Sequence, residues 1–362
     1  MKNTIGSNVS LTLFGESHGV GIGAVLDGIA PGIEVDEDFI RFQLSLRRPM
    51  GKISTPRVEE DIFQIQSGVF EGKTTGTPIC IVIPNENTKS KDYNRNLMRP
   101  GHADFTAYQK YHGFEGYRGG GHFSGRITAG IVAAGAIAIS ALKKKGIYIG
   151  THILSCAGIK DNGFADYEKD IASLNEKTFA VLNDDAAERM QENIIKAKAE
   201  ADSVGGILET AVIGLPEGVG EPWFDSIESM LSHGLFSIPA VKGVEFGGGF
   251  ALSEMRGSQA NDSFYFDDNG KVKTKTNNNG GINGGISNGM PVIFRSAIKP
   301  TPTIGKAQET VDILKGENAV LSSGGRHDPC IVHRARVVVD SITAIILCDI
   351  LSGRFGTDWI NN

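Results

Sequence analysis

The chain has 362 residues, enough to bury a large hydrophobic core, and its 40% apolar and 22% charged residues are ordinary for a globular protein. Its formal net charge is −6, and residues 160–202 alone carry 11 acidic and 6 basic side chains, so no broad basic face is indicated and nucleic acid is excluded as the main partner. The 47 glycines cluster in runs, which is typical of loops with positive φ angles or with backbone close to a ligand.

Cysteine spacing and the longest apolar stretch bear on the cellular compartment. The cysteines lie far apart and form no Cys-x-x-Cys pair: Cys80, Cys156, Cys330 and Cys348. This pattern predicts a reducing, cytoplasmic setting without a disulfide framework. The first ten residues are polar and lack the apolar core of a signal peptide. Ile127–Leu142 is short for a membrane span and rich in alanine and glycine, so we expect a buried helix there and no membrane partner.

The first half of the chain reads as short strands broken by glycine loops. The predicted strands are Ser10–Phe14, Ala24–Asp27, Ile62–Val69 and Pro78–Ile83. Asp36–Leu46 is predicted to be a helix with Asp36 as its N-cap. The polar stretch Asn85–Gly101 has no periodicity, and we interpret it as a functional loop.

The second half alternates longer helices with strands. The predicted helices are Ile127–Lys145, two within Asp166–Ala201, Ser226–Ser232 and Val337–Leu351. The predicted strands are Gly206–Gly214, Ala240–Phe246 and Pro291–Lys299. Between them, Asn261–Gly289 is rich in asparagine and glycine, and a loop of that length in a compact domain usually serves a site. No linker composition divides the chain, so we expect one α+β domain over residues 1–362.

Two short loops contain histidines suited to acid–base chemistry. His18 lies in the loop Gly15–Gly19 among small neighbours, where an imidazole is accessible and can change protonation near neutral pH. The alternative is a turn histidine with no role. In Arg99–Asp104, Asp104 could hold His102 while Arg99 binds an anion. The alternative there is an Asx-type turn with a surface arginine.

Two glycine-rich runs are candidates for ligand binding. Gly119–Arg126 leads directly into a predicted helix, so its N–H groups and the positive end of the helix dipole suit an anion. It lacks the Gly-Lys-Ser/Thr ending of a Walker loop, and a structural turn is the alternative. Asn277–Gly285 offers amide donors and acceptors that could hydrogen-bond a heteroaromatic ring such as a flavin; the alternative is a disordered loop.

Arginines at or beside loops indicate a small polyanionic substrate in this acidic protein. They are Arg47, Arg48, Arg99, Arg126, Arg326 and Arg334. The spacing of His327, Cys330 and His333 suggests a metal site, but no fourth ligand stands nearby. Neighbouring Arg334 and Arg336 suit carboxylates or phosphate, which the guanidinium fork binds through two hydrogen bonds.

Five motifs together resemble the chorismate synthase family, in the family's order and over nearly the whole chain. They are Gly15-Glu16-Ser17-His18-Gly19, Arg99-Pro100-Gly101-His102-Ala103-Asp104, Asp202-Ser203-Val204-Gly205-Gly206, the Asn277–Gly289 loop with Lys299-Pro300-Thr301, and Gly325-Arg326-His327-Asp328-Pro329-Cys330. The resemblance implies a lyase that eliminates phosphate from 5-enolpyruvylshikimate 3-phosphate, by an anti-1,4-elimination, to give chorismate in the shikimate pathway to aromatic amino acids. It also implies reduced FMN as cofactor without net redox change, a homotetramer, and a β-α-β layered fold with helices between antiparallel sheets.

The resemblance also implies roles for single residues. His18 would act as the acid toward the departing phosphate, His102 would protonate the reduced flavin near N1, and Asp328 would assist proton removal through flavin N5. Flavin contacts would be His122, Phe123, Ser124, Gln259, Ala260, Gly284, Lys299, Pro300, Thr301, Pro302, Thr303 and Arg326. Substrate contacts would be Ser17, Arg48, Arg99, Arg126 and Arg326. Arg47 and Lys52 match positions associated with NADPH as a reductant.

The chain departs from the family pattern after the triple glycine. The family often has Arg-Ser-Ser-Ala-Arg-Glu-Thr there, whereas this chain has His122-Phe123-Ser124-Gly125-Arg126-Ile127-Thr128. Ser124 and Arg126 are retained, whereas the first arginine and the glutamate are not. The family's side-chain contacts to flavin are therefore not expected at His122 and Phe123, although backbone contacts could persist there, and we interpret the change as a subfamily variant and not as a loss of activity. Two other functions fit parts of the pattern: a phosphatase or phosphotransferase acting on another phosphorylated metabolite, and a flavin-binding protein without catalytic activity.

Overall fold

The computed structural model describes residues 2–55, 60–86, 94–322 and 328–361. Its strands are β1 (Thr4–Ile5), β2 (Ser10–Gly15), β3 (Gly21–Asp27), β4 (Gln64–Ile65), β5 (Val69–Phe70), β6 (Lys73–Thr74), β7 (Ile79–Pro84), β8 (Tyr148–Cys156), β9 (Ile159–Lys160), β10 (Gly206–Ile213), β11 (Val241–Phe246), β12 (Phe264–Phe266), β13 (Val272–Thr274), β14 (Ile282–Asn283), β15 (Ile286–Ser287), β16 (Val292–Ile298), β17 (Gln308–Asp312) and β18 (Glu317–Leu321). Its helices are α1 (Glu37–Ser45), α2 (Asp104–Tyr111), α3 (Thr128–Lys144), α4 (Tyr167–Glu176), α5 (Asp184–Ala199), α6 (Ile227–Ser237), α7 (Gly257–Ala260) and α8 (Val332–Phe355).

Two five-stranded sheets enclose a helical layer. The first sheet has the strand order β1-β2-β3-β7-β4, and the second has the order β11-β16-β10-β8-β9. Neighbouring strands in both sheets are antiparallel. The remaining described strands form four two-stranded antiparallel sheets. The predicted α+β class is therefore confirmed.

The helices α3 and α8 lie between the two sheets. α3 packs on β3 and β7 of the first sheet, and α8 packs on β8 and β10 of the second, so the layers follow the order sheet, helix, helix, sheet. The two helices approach closely because α3 is built of small residues: a Cβ on Gly135 would lie 2.3 Å from Cβ of Ser341 in α8. One continuous cluster of buried apolar residues extends from Val9 to Ile360 through both interfaces.

The segment Gly125–Lys144 is the candidate for a membrane span among the described residues. It is 20 residues long with a mean hydropathy of 1.6, which meets the criterion of length and composition. However, 78% of that stretch is buried inside the protein, as is common for the core helix of a folded domain. The expectation of a buried helix at Ile127–Leu142 is confirmed by this packing.

Most predicted elements agree with the structure to within a few residues. Asp36 caps α1, because its side chain accepts a hydrogen bond from the Phe39 N–H. The acidic region 166–201 forms two helices, as expected, capped by Asp166 and Asn183. The final helix is longer than predicted and extends from Val332 to Phe355; its additional N-terminal residues are mostly buried, whereas the last turn is exposed.

The prediction of one strand over Ile62–Val69 is wrong. Gly68 has a φ of +83°, and a Cβ there would lie 2.6 Å from Cα of Ile79, so the chain turns at this glycine instead of continuing the strand. Only Gln64–Ile65 pairs with β7, and Val69–Phe70 forms a separate hairpin with β6. The elements that the sequence analysis did not predict include α2, the hairpin of β17 and β18, and the long strand β8.

Candidate active site

The loop that carries His18 is the hairpin connection between β2 and β3, and it is docked on the triple glycine. The Ser17 N–H donates to the Gly121 carbonyl at 3.1 Å, and His122 Nδ1 contacts the Gly15 carbonyl at 2.8 Å. The Asn85 amide donates to the carbonyls of Glu16 and Gly19, at 2.9 and 3.0 Å. These contacts fix the loop although it has no strand partner of its own.

The hydroxyl of buried Ser17 determines the orientation of the His18 ring. Ser17 Oγ donates its single hydrogen to the Gly119 carbonyl at 3.1 Å and lies 3.2 Å from His18 Nδ1. With the single hydroxyl hydrogen on this carbonyl, the Nδ1 contact is made by an imidazole that carries its N–H on Nδ1.

The triple glycine brings two of the predicted loops together. Gly119, Gly120 and Gly121 all have positive φ, at 63°, 84° and 53°. A Cβ on Gly119 would lie 2.0 Å from the His18 ring, and a Cβ on Gly120 would lie 3.9 Å from Nη2 of Arg99. Only glycine allows this backbone to pass against the imidazole. The loops of His18 and Arg99, about 80 residues apart in the sequence, therefore meet at one turn.

Asp104 holds Arg99 and not His102. Its two carboxylate oxygens accept hydrogen bonds from Nε and Nη2 of Arg99, both at 2.7 Å, and one oxygen also accepts the Arg99 N–H. The expectation that Asp104 would hold His102 is wrong, because the planar guanidinium fork matches the carboxylate better than an imidazole does. The pKa of Asp104 is lowered despite burial, owing to this bidentate pairing.

His102 is hydrogen-bonded to the segment that follows β16. Its Nε2 lies 2.5 Å from Oγ1 of Thr303, and Lys299 Nζ donates to the Gly101 carbonyl at 2.6 Å. Burial lowers the pKa of His102 to about 4, with the positive charges of Arg99 and Lys299 acting in the same direction. The imidazole is therefore neutral at pH 7, in surroundings that favour a negative ligand.

The motif Asp202–Gly206 joins two of the other predicted segments. Ser203 Oγ donates to the Thr301 carbonyl at 2.6 Å, and the Val204 N–H donates to the Pro329 carbonyl at 2.9 Å. A Cβ on Gly205 would lie 2.9 Å from the nitrogen of Pro300. The motif thus places residues 299–303 next to Asp328.

Asp61 is a site residue that the sequence analysis did not identify. Its carboxylate binds Nη1 of Arg47 at 2.8 Å and also pairs with Nη1 of Arg126. Its φ is +53°, a conformation that aspartate adopts more readily than most residues. Arg47 is only 7% exposed and also donates to Thr128 and to the Gly125 carbonyl. No local pattern around Asp61 signals a contact with arginines 14 and 65 residues away.

Asp328 lies beside Arg334 at the start of α8. Oδ2 of Asp328 pairs with the Arg334 guanidinium, which also donates to the Arg47 carbonyl at 2.6 Å. Oδ1 is buried and has no hydrogen-bond partner among the described residues. Burial raises the pKa of Asp328, although Arg334 and Lys198 oppose the shift. Lys198 in turn donates to the carbonyls of Lys52 and Ser54, at 2.8 and 2.9 Å.

Not every arginine near the site faces it. Arg336 is 2% exposed, pairs with Asp340 at 3.1 Å, and donates to two carbonyls of the segment that ends α4. The expectation that Arg336 serves an anionic ligand is therefore wrong, since its charge is neutralised inside the core. Arg48 is half-buried, and its guanidinium donates to the Glu60 carbonyl. Arg326 and His327 lie outside the described residues.

The metal interpretation receives no support from the part of the chain that the structure describes. No group of three His, Cys, Asp or Glu side chains there is arranged to hold a metal. Cys330 Sγ lies 3.5 Å from Cys156 Sγ, and His333 Nε2 lies 3.0 Å from Ser54 Oγ. All four cysteines are free thiols.

Apart from residues 122–124 at the triple glycine, the described flavin positions form two groups, one near each end of β16. Lys299–Thr303 follows the C-terminal end of β16 and contacts the His102 loop. Gln259 and Ala260 are held by the Asn278 amide, at 3.3 and 3.1 Å, near the N-terminal end of β16, where Gly280 pairs with Ile293. A seven-residue strand is about 20 Å long. The two groups therefore lie toward opposite ends of this strand within one chain.

The variant positions after the triple glycine have structural partners. His122 is bonded to the Gly15 carbonyl, and the Phe123 ring packs edge-on against Tyr111 with centroids 6.0 Å apart. Ser124 Oγ accepts the Arg126 N–H at 3.3 Å and caps the short 3₁₀ turn Gly125–Ile127 before α3.

Comparisons with known proteins agree with one another. The family model described as chorismate synthase matches residues 9–351. Chorismate synthases from Lachnoclostridium phytofermentans and Methanobrevibacter smithii are 47% and 46% identical to this chain; the alignments cover 96% of this chain in both cases and 95% and 96% of the relatives. The chorismate synthase of Synechocystis is 44% identical over 356 residues. A crystal structure of a chorismate synthase superposes with a TM-score of 0.78 at 29% identity, covering 99% of this chain and 95% of the other.

Proposed function

This chain belongs to the chorismate synthase family of lyases, and on that premise we propose that it eliminates phosphate from 5-enolpyruvylshikimate 3-phosphate with reduced FMN as an obligatory cofactor. The reaction is an anti-1,4-elimination: the C–O bond to phosphate breaks with its electron pair, and a proton leaves the ring carbon. No net oxidation or reduction occurs.

The observation that carries this proposal is the meeting of the His18 and Arg99 loops at the triple glycine. The Gly119 backbone passes directly against the His18 ring, and Gly120 lies beside the Arg99 guanidinium. An imidazole and a guanidinium on adjacent sides of one turn suit a phosphate that leaves as an anion, because preorganised positive charge stabilises charge that develops in the transition state.

We assign to His18 the role of acid toward the departing phosphate. Ser17 holds Nδ1, so a proton on Nε2 is the one that can be delivered. Arg48, Arg99 and Arg126 are the proposed substrate arginines. Arg99 is oriented by Asp104 and Arg126 by Asp61, so each fork has a fixed direction before the substrate binds.

The residues around His102 and Asp328 fit a bound flavin. Thr301 Oγ1 and Asp328 Oδ1 are both buried without a hydrogen-bond partner among the described residues, and a polar heteroaromatic ring would satisfy such atoms. When bound, reduced FMN would supply transient electron donation, which no side chain supplies. We propose that Lys299–Thr303, Ser124 and Arg326 hold it, together with backbone groups of His122 and Phe123.

His102 and Asp328 are proposed to manage protons next to the cofactor. The low pKa of His102 results from burial and from two cations, so an anionic ligand would favour its protonated form. The raised pKa of Asp328 brings a carboxyl group closer to neutral pH, where it can exchange a proton during turnover.

We further propose that the active assembly is a homotetramer. Gln259, Ala260 and Gly284 lie far from Lys299–Thr303 along β16, so all of them can contact one flavin only if a second copy supplies the first group. Of the two positions associated with NADPH, Lys52 is exposed whereas Arg47 is buried in its pair with Asp61, so Lys52 is the more accessible to a dinucleotide. We propose a cytoplasmic setting, where this substrate is made.

Anaerobic incubation of the pure protein with 5-enolpyruvylshikimate 3-phosphate, with and without reduced FMN, tests the proposal. We expect phosphate and chorismate to appear in equal amounts only when reduced FMN is present. Phosphate release without flavin would instead support a phosphatase, and flavin binding without release of either product would support a non-catalytic flavin protein.

A further inference from the structure

A row of charged side chains crosses the outer face of the second sheet. Glu245 in β11, Arg295 in β16, Glu209 in β10 and His152 in β8 are directly opposite one another in the strand register. Asp161, just after β9, extends the row beyond His152. Their formal charges alternate if His152 is protonated. We call these five residues the charge ladder.

Every neighbouring pair in the charge ladder is in direct contact. Arg295 Nη1 lies 3.1 Å from Glu245, and its Nε lies 2.8 Å from Glu209. His152 lies 3.0 Å from Glu209 through Nε2 and 2.9 Å from Asp161 through Nδ1. Exposed ion pairs contribute little, but His152 is 0% and Glu209 5% exposed, so breaking these pairs leaves buried charge without compensation.

His152 can satisfy both carboxylates only as an imidazolium. A neutral imidazole has a single N–H, whereas both ring nitrogens here face carboxylate oxygens. Burial opposes the positive charge, but the hydrogen bonds to Asp161 and Glu209 outweigh it and raise the pKa of His152. The Phe164 ring packs on the imidazole at 4.9 Å, with Tyr167 behind it on α4, and neither supplies a positive charge.

One end of the charge ladder holds a turn after β11. Arg295 Nη1 donates to the Gly247 carbonyl at 3.0 Å, and Glu245 accepts the Phe250 N–H at 3.2 Å. A Cβ on Gly249 would lie 2.2 Å from the Glu245 carboxylate, so the turn closes tightly around that group. The charged groups of Arg295 and Glu245 therefore help to hold the turn Gly247–Phe250, whose Phe250 side chain is exposed.

The turn Gly247–Phe250 positions the two segments with predicted flavin contacts at this end of β16, residues 259–260 and the asparagine- and glycine-rich loop. The Gly248 N–H donates to the Asn278 carbonyl at 2.6 Å, and the Asn278 amide donates to the carbonyls of Gln259 and Ala260. Asp262 accepts the N–H groups of Asn278 and Asn279, at 2.7 and 2.8 Å. A continuous path of hydrogen bonds thus connects His152 with Gln259.

We propose that the charge ladder is a positioning device for the flavin loop, with His152, Glu209, Arg295 and Glu245 acting through the turn Gly247–Phe250 on Gln259 and Ala260. The proposal rests on the flavin dependence proposed above. Because the contacts of His152 need a protonated ring, the order of the loop is present below the raised pKa of His152 and is lost as the pH rises through it.

The test compares His152→Gln with His233→Gln, an exposed histidine on α6 that serves as control. Oxidised FMN is the probe, and its affinity is measured by fluorescence quenching from about pH 6 to about pH 10. Hydrogen exchange of the Gly247–Ala260 amides is measured without flavin. We expect His152→Gln to bind FMN about tenfold more weakly at neutral pH, to exchange these amides faster, and to lose the alkaline fall in affinity. His233→Gln should match the wild type in all three.

The proposal is overturned if a folded His152→Gln protein shows wild-type hydrogen exchange of the Gly247–Ala260 amides and the wild-type dependence of FMN affinity on pH. If that variant does not fold, Glu245→Gln replaces it, because Glu245 is partly exposed and links the charge ladder to the turn. Wild-type exchange at Phe250 in Glu245→Gln also overturns it. Failure of the wild-type protein to bind FMN would instead count against the proposed function, while the exchange measurement would still decide the role of the charge ladder.

Discussion

Nε2 of His102 lies 2.5 Å from the hydroxyl oxygen of Thr303, a residue 201 positions further along the chain. This contact joins the loop Arg99–Asp104 to the segment that follows β16, and it accompanies the burial that lowers the pKa of His102 to about 4. A histidine with a depressed pKa makes the folded protein sensitive to acid, because the unfolded chain binds a proton more readily.

His102→Gln should therefore reduce the acid sensitivity of the fold. The folded-state pKa of about 4 is below the ordinary histidine pKa of 6.5, so the stabilisation due to neutral His102 is fully present above pH 6.5 and is lost as the pH falls toward 4. The shift in pKa corresponds to a loss of at most about 3 kcal/mol in the free energy of unfolding, and solvent screening of the partly exposed ring reduces this value. Melting temperatures at about pH 7 and about pH 4.5 test this. An equal fall in wild type and His102→Gln would contradict it, and His233→Gln is the control.

Gly119→Ala should abolish most turnover while leaving the core intact. The new methyl group would lie 2.0 Å from the His18 ring at a φ of +63°, so the ring or the turn must move. General acid catalysis contributes about 10²–10⁴-fold, which sets the expected loss in kcat. Gly125→Ala is the matched control in the same run, because a Cβ there meets nothing within 4 Å. Equal turnover in the two variants would refute the proposed contact.

Ser17→Ala should lower kcat less than His18→Ala does. His18→Ala removes the proposed acid, whereas Ser17→Ala removes the oxygen that orients Nδ1 and leaves the ring in place. We expect a loss of about 10²–10⁴-fold for His18→Ala and about tenfold for Ser17→Ala. Steady-state kinetics with reduced FMN gives both values. A near-normal rate in His18→Ala would remove His18 from its assigned role.

Asp61→Asn should destabilise the protein and weaken substrate binding together. The Asp61 carboxylate is buried and neutralises Arg47 and Arg126, and removing one partner of a buried ion pair costs about 3–5 kcal/mol. Asp38→Asn is the control, since Asp38 pairs with Arg41 on the surface, where such pairs contribute about 0–1 kcal/mol. Urea unfolding and KM measure the two effects. If Asp61→Asn matched Asp38→Asn in stability, the buried charge would have another partner.

Asp328→Asn should lower kcat by about 10²–10⁴-fold while FMN still binds. If Asp328 must be ionised to accept a proton, wild-type turnover falls as pH drops through its raised pKa, at a higher pH than an ordinary aspartate would give. Asp328→Glu should recover part of the rate and retain an acid limb. If the turnover of Asp328→Asn still fell with decreasing pH as in the wild type, the fall would be due to another group.

Local patterns in the sequence were sufficient for most helices and for the long strands of the two sheets other than β8. The N-cap of α1 at Asp36 and the two surface helices of the acidic region follow from hydrogen-bonding and periodicity rules that act over a few residues. The predicted strand over 62–69 was wrong because no local rule gives the turn at Gly68. That turn depends on the close approach of Gly68 to Ile79, which belongs to another strand, β7. The five motifs in order were enough to identify the family.

Only the tertiary structure determined which charged side chains form ion pairs with one another. Arg334 and Arg336 are two residues apart on one helix, yet Arg334 forms an ion pair with Asp328 at the site and Arg336 forms one with Asp340 in the core. The Asp104 carboxylate pairs with Arg99 and not with His102, although both residues are close to Asp104 in the sequence. An ion pair forms where the packed backbone brings two groups within about 4 Å at the right angle, and that geometry depends on sheets and helices assembled from distant parts of the chain. The sequence by itself determined the residue types and the local conformation; the packing of the two sheets around α3 and α8 determined their partners.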